Sequence, residues 1–564
     1  MKPTTSLYLL LLISLCGYNC RAPSNVNKVL SNTTGVSTKE NRVDALFTGW
    51  TSSTPGAAIA VIKDGSIIYK KGYGVANLEY DIPATPVTVF HIASVSKQFT
   101  VFSVLLLEKD GKLSLDDDIR KYIQEVPDFG KKITLRHLAS HTSGLRDQWN
   151  LLALAGWRLD DVITKEHVLK LVSKQKELNF NPGEEFLYCN TGFTLLAEVV
   201  ARVSGQTFSA FTDENIFRPL GMSNTLFYDD HERIVKNRAY SYHKEGDRYK
   251  KSVLSYANVG ATSLFTTAED LALWALNFSS PKIGDPEIIG KMNTLAVLNN
   301  GKTFGGALGQ FVGDYKGMKE IQHGGADAGY RSFLTRFPDK NFAVVVLSND
   351  ASFNPNDIAH KIVDIYLDVK PEVEKKEEPG PEERKKISID QKTLESYMGE
   401  YQLFPAFTIT ITQENGQLFG QGTGQPKVSL NPISATEFVI AGVEAKIIFE
   451  AENNGKAQSL KLHQAGQIME ATRVKPFDQS SVQLSEFTGR FYSEELSTSY
   501  DFTVVGGKLI ARHNRVSDID LTPVKEDTFR GNTWFFGKVD FVRDRNMAIT
   551  GCRVSSGRVR NVFF

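Results

Sequence analysis

The chain has 564 residues, enough for two to four domains rather than one core. Lysine plus arginine equals aspartate plus glutamate at 65 each. That balance argues against nucleic acid or an anionic membrane surface and leaves small molecules and short peptides as partners. The 41% hydrophobic and 23% charged residues are those of globular protein, and four cysteines imply no disulfide framework.

Lys2 and the apolar run at residues 7–15 have the layout of a secretory signal, too short to span a bilayer. Residues 1–20 therefore predict export to the periplasm or the extracellular space. Cys16 and Cys20 are candidate lipid-attachment sites, although Leu15 and Asn19 are not the small residues preferred before such a cysteine. A lipid there would be the chain's one link to a membrane.

Residues 57–62 and 66–69 flank Asp64-Gly65, a hairpin signal. Next come Ser94 and Lys97, three residues apart at the head of an apolar run that reaches Leu107 and stops at Asp110-Gly111. Helical spacing puts the Lys97 amine beside the Ser94 hydroxyl, and burial lowers the amine's pKa toward that of a working base. Ser-x-x-Lys recurs at Ser173/Lys176, Ser241/Lys244 and Ser279/Lys282, but in charged or polar surroundings or beside Pro281. Those three read as surface coincidences.

Residues 133–139, 193–203 and 268–276 have helical spacing. His137 and His141 stand at i and i+4 without the glutamate or third ligand of a zinc site, so no metal or other cofactor is expected. Tyr188-Cys189-Asn190 supplies a phenol to relay a proton to a leaving group and an amide to orient Lys97 and a substrate carbonyl. Tyr256 and Asn258 share that spacing but read as a buried tyrosine and a turn asparagine. His323-Gly324-Gly325 precedes the strand at residues 333–337, and its glycines would let a substrate approach the backbone. The Ala326 amide, with that of Ser94, would form an oxyanion hole. Residues 333–337 and 342–347 flank Pro338-Asp339 as a second hairpin. Strands at both ends with helices between predict an α/β (α+β) domain over residues 40–370, an antiparallel sheet covered by helices.

Residues 371–389 are rich in Glu, Lys and Pro and read as a solvated linker. Beyond them the chain turns all-β and repeats. Leu394, Tyr397, Gly399 and Tyr401 return 90 residues later as Leu484, Phe487, Gly489 and Phe491, and Leu430-x-Pro432 returns 91 later as Leu521-x-Pro523. Two copies of one module, at residues 390–478 and 480–564, are best closed as barrels.

Ser-x-x-Lys, Tyr-x-Asn and His-x-Gly in this order resemble the class C beta-lactamase-like and penicillin-binding serine hydrolases, peptidase family S12. Residues 55–61, Gly72-Tyr73-Gly74 and residues 133–145, 219–222 and 267–271 extend the likeness over about residues 45–368. The resemblance implies a beta-lactamase/DD-peptidase fold in which Ser94 is acylated and Lys97 and Tyr188 exchange its proton. It also implies that Asn190, His323, Gly325 and Ala326 bind substrate.

A histidine where beta-lactamases carry Lys-Thr-Gly holds a carboxylate less firmly, which lowers the expectation of β-lactam hydrolysis. The whole-chain plan, with two lipocalin-like barrels, resembles bacterial D-aminopeptidases, in which a last-barrel loop reaches the active site. Here such a loop is expected within residues 514–537, with Asp518, Asp520 and Asp527 as acidic candidates. The expected function is acyl-enzyme hydrolysis of small amides or cell-wall-derived peptides. Carboxylesterase, weak beta-lactamase and non-catalytic binding of peptidoglycan fragments are the alternatives.

Overall fold

The computed structural model describes residues 38–369 and 389–564, apart from residues 405–406, 424–426, 441–444, 452–454, 465–466 and 476. The signal segment, Cys16, Cys20 and the linker up to residue 388 lie outside the described residues. Among the described residues no helix is long and apolar enough to cross a membrane.

Six strands build the first sheet: β1 (Ala57–Lys63), β2 (Ser66–Tyr73), β3 (Phe311–Tyr315), β4 (Met318–Asp327), β5 (Tyr330–Phe337) and β6 (Phe342–Ser348). They are antiparallel in the order β3-β4-β5-β6-β1-β2. The β1–β2 turn takes Asp64 and Gly65 into the left-handed region, at φ 48° and 79°, as a tight hairpin requires. β1 and β6 are apolar on both faces because both faces are covered. Ala57, Ile59, Val61, Val344 and Val346 pack under the terminal helices, α1 (Lys39–Ala45) and a last helix at Pro355–Leu367. Ala58, Ala60, Val345 and Leu347 face a helical layer inserted between β2 and β3.

That layer centres on α2 (Ser96–Lys109), which buries 11 of its 14 residues and so must be surrounded on all sides. Trp274, from the helix Ala268–Asn277, stacks on Phe99 at 4.2 Å and donates its indole N–H to Gln98 at 3.0 Å. Around α2 stand α3 (Leu135–Ala139), α4 (Gln148–Leu154) and, after a further helix at Lys165–Ser173, α5 (Asn190–Ser204).

After the linker, eight strands between Gly399 and Arg473 close into a barrel around Tyr401, Leu430, Phe449 and Leu460. A second eight-stranded meander follows from Gly489 to Phe563, and its two end strands do not pair among the described residues. Gly399 and Gly489 both sit at φ 147°, a backbone signature shared by the two copies. The first barrel has its own core, whereas the second merges with that of the first, sheet-and-helix domain. At the junction Arg146, 1% exposed, donates to both carboxylate oxygens of Glu495 at 2.6 and 2.8 Å and to the Arg560 carbonyl at 3.0 Å. Asn150 donates to Ser556 at 2.8 Å and Tyr500 to the Leu154 carbonyl at 3.1 Å. The barrels meet through Arg530 and Glu400.

Candidate active site

Ser94 lies in a single 3-10 turn (Ala93–Val95) that feeds α2, one turn earlier than the helix proper. Ala93 takes φ 47°, unusual for a non-glycine, and the surroundings hold it there. The buried His91 ring accepts the Ala93 amide at 3.2 Å, and Ser332 Oγ donates to the Ile92 carbonyl at 2.7 Å. This turn lifts the Ser94 hydroxyl to the surface of an otherwise buried segment.

Lys97 Nζ is fully buried and held by three acceptors: Ser94 Oγ at 3.0 Å, Asn190 Oδ1 at 2.8 Å and the Ala261 carbonyl at 2.7 Å. Burial brings its pKa down to about 7, against the pull of Asp327 and Asp147 and with help from Arg558. Tyr188 lines the same cleft as Ser94, and burial raises its phenol well above the ordinary value, so it stays protonated. Asn190 opens α5, and its amide N–H and Nδ2 both donate to Asp147 Oδ2, at 2.7 and 2.8 Å. Asp147, buried as the N-cap of α4, thereby turns the Asn190 oxygen toward Lys97.

The opposite wall is β4. His323-Gly324-Gly325 lies ahead of β5, as expected, and is itself in a strand, because pairing with β5 runs on to Asp327. On its other side β3 pairs with residues 318–322, leaving the edge of residues 323–327 without a ladder partner among the described residues. Gly325 presses against the serine turn: a Cβ there would stand 2.3 Å from the Ile92 carbonyl oxygen and 2.3 Å from Ser332 Oγ. Ala326 follows on the exposed edge, beside the cleft that holds Ser94. The His323 ring donates from Nδ1 to the Gly324 carbonyl at 2.6 Å, and its buried Nε2 has no partner among the described residues. Burial lowers its pKa to about 3, so it is neutral and supplies no charge to this wall.

Ser94, Tyr188, Asn190, His323 and Ala326 line one cleft of about 380 Å³, joined by Trp149, Phe311, Thr262, Asp327 and Arg558. Thr262 donates to Asp327, whose carboxyl burial raises to about 6. Arg558 belongs to the second barrel, and its guanidinium carbon lies 4.8 Å from the Tyr188 ring centroid.

The structure thus corrects the expected barrel loop: residues 556–561, not residues 514–537, reach the site. Asp518, Asp520 and Asp527 are instead paired with Arg512, Lys508 and Arg543 within that barrel. His137 caps Thr134 and His141 stacks on Tyr188 at 4.1 Å, so the two imidazoles serve different neighbours. Tyr256 is buried against Trp149, outside the Ser94 cluster.

A serine hydrogen bonded to a buried amine that lies over a tyrosine ring, on a sheet-and-helix scaffold of this topology, defines a beta-lactamase-fold serine hydrolase. The Beta-lactamase family model matches residues 42–366, and the chain belongs to that family. Residues 383–476, the first barrel, match a domain of unknown function (DUF3471). The chain is similar to penicillin-binding protein 4* of Bacillus subtilis (strain 168), 27% identical over 444 residues, 74% of this chain and 94% of that protein. It is also similar to a D-aminopeptidase of Brucella anthropi, 28% identical over 319 residues, 56% of this chain and 60% of the relative's length. Among solved structures, the octameric penicillin-binding protein homologue from Pyrococcus abyssi shares the fold, with a TM-score of 0.55 and 24% identity over 77% of this chain and 99% of that one.

Proposed function

We propose that the chain is a Ser-x-x-Lys serine hydrolase of peptidase family S12. It cleaves small amides and short peptides in the manner of a D-aminopeptidase or DD-peptidase, with N-terminal D-amino acid amides ahead of simple esters. The observation that carries this reading is the Lys97 amine, buried, near neutrality in pKa and 3.0 Å from Ser94 Oγ. Lys97 takes the Ser94 proton as Oγ bonds to the scissile carbonyl carbon, and the oxyanion meets the Ser94 and Ala326 amides. The carbon–nitrogen bond then breaks. The leaving nitrogen takes a proton from Tyr188, which Lys97 resupplies. Water attacks the Ser94 ester and gives a proton to Lys97; the carbon–Oγ bond breaks, and Ser94 recovers that proton.

The substrate class draws support from the D-aminopeptidase relative and from Asp327, whose carboxylate gives a substrate ammonium a counter-ion in the cleft. Neutral His323 argues against β-lactams, whose carboxylate would lack a cation on β4. Export is inferred from Lys2 and residues 7–15. A fluorophosphonate probe should label wild type and not Ser94→Ala, and D-alanine p-nitroanilide should turn over faster than p-nitrophenyl butyrate, with nitrocefin slowest. Failure of the wild type to label, or nitrocefin turning over fastest, would overturn the proposal.

A further inference from the structure

One charged group in the cleft has no part in the steps above. Arg558 is exposed, its guanidinium donates no hydrogen bond, and it joins no ion pair among the described residues. Its backbone is nevertheless fixed: the Arg558 carbonyl accepts from the Asp147 amide at 3.4 Å and from Asn179 Nδ2 at 3.1 Å. Arg560 anchors the same turn, its amide donating to Asn179 Oδ1 at 2.8 Å and its guanidinium pairing with Glu185. The second barrel therefore carries a free cation into the cleft on a backbone tied to the hydrolase domain.

Its position relative to the chemistry is set by Tyr188. That phenol hands its proton to the leaving group, and the guanidinium lies over the same ring. A group attached to the departing nitrogen meets Arg558; the acyl side runs along β4 toward Ala326 and Asp327. The cleft therefore has a cation on the leaving-group side and an acid on the acyl side, with Ser94 among them. An arginine with an open fork is matched by a carboxylate.

We infer that Arg558 binds a carboxylate on the leaving group, so that the preferred substrates are short peptides releasing a free amino acid rather than simple amides. The inference rests on the aminopeptidase reading above and narrows it. About 380 Å³ has room for a dipeptide with both termini charged.

The test compares D-alanyl-glycine with D-alanyl-glycinamide, which differ only in the terminal charge, using the full-length protein. Wild type should prefer the acid by about tenfold or more in kcat/KM, as a charge-assisted contact implies. Arg558→Gln should bring the ratio to about one, and Arg558→Lys should restore part of it. Equal rates on the two peptides in wild type, or a ratio unchanged in Arg558→Gln, would overturn the assignment of Arg558. In that case cleavage of the glycinamide and of D-alanine p-nitroanilide leaves the aminopeptidase reading standing. If neither peptide nor the anilide is cleaved, both readings fall.

Discussion

At the scale of single residues, the site is organised by what burial does to three ionisable groups. Burial lowers Lys97 from 10.5 to about 7 because an ammonium loses more hydration than three neutral acceptors return. The same loss of water raises Tyr188 and keeps its proton in place. A base that loses its proton at about 7 beside an acid that keeps it fixes the sign of the pH dependence. With an uncharged ester such as p-nitrophenyl butyrate, kcat/KM should climb with pH through about 7 and then level off. An ester carries no ammonium, so Asp327 enters this profile only through its pull on Lys97. A rate falling as pH rises from 6 to 8 would mean that Lys97 works as an acid. Asn190 contributes by orientation, and its own orientation comes from Asp147, a residue no motif pointed to.

At the scale of elements, the site is a meeting of the serine turn with β4, and Gly325 sets how close they come. Any side chain at 325 must displace the Ile92 backbone or Ser332, and with them the turn that holds Ser94. Gly325→Ala should therefore lower kcat by about 100-fold, the scale of an ångström-sized misplacement, and slow fluorophosphonate labelling of Ser94. Gly313→Ala on β3 is the matched control, since a Cβ there meets nothing within 4 Å, and it should leave both rates unchanged. Labelling at the wild-type rate in Gly325→Ala would show that the close approach is not required. The partners in this meeting were legible in sequence because each sits in a local pattern: Ser94 and Lys97 at helical spacing, Tyr188 before an amphipathic run, glycines at 324 and 325. Asp147, Thr262 and Asp327 were not. Each acts through a partner distant in sequence, Asn190 for Asp147 and one another for the other two, and no periodicity encodes such a pairing.

At the scale of the whole molecule, the repeat at an offset of 90 or 91 residues revealed two modules but not their unequal standing. Both read alike because strand alternation reports a barrel's inside, whereas docking is written in turn residues such as Glu495 and Ser556. The first barrel touches its twin through Arg530 and Glu400, 30% and 38% exposed, a pair of the kind worth about 0–1 kcal/mol. The second is held by Arg146 and Glu495, 1% and 5% exposed, and removing Glu495 leaves the buried guanidinium only the half-exposed Glu177, 3.7 Å away, as a counter-ion. Glu495→Ala should cost about 3–5 kcal/mol in denaturant unfolding, as the loss of one member of a buried pair does. Because the Arg146 side chain also holds the Arg560 and Asn561 carbonyls, its release should free the turn that carries Arg558 and lower peptide turnover more than ester turnover. Arg530→Ala should change neither stability by more than about 1 kcal/mol nor turnover. If Glu495→Ala cleaves D-alanyl-glycine as wild type does, the second barrel is a structural support and its turn has no part in holding substrate.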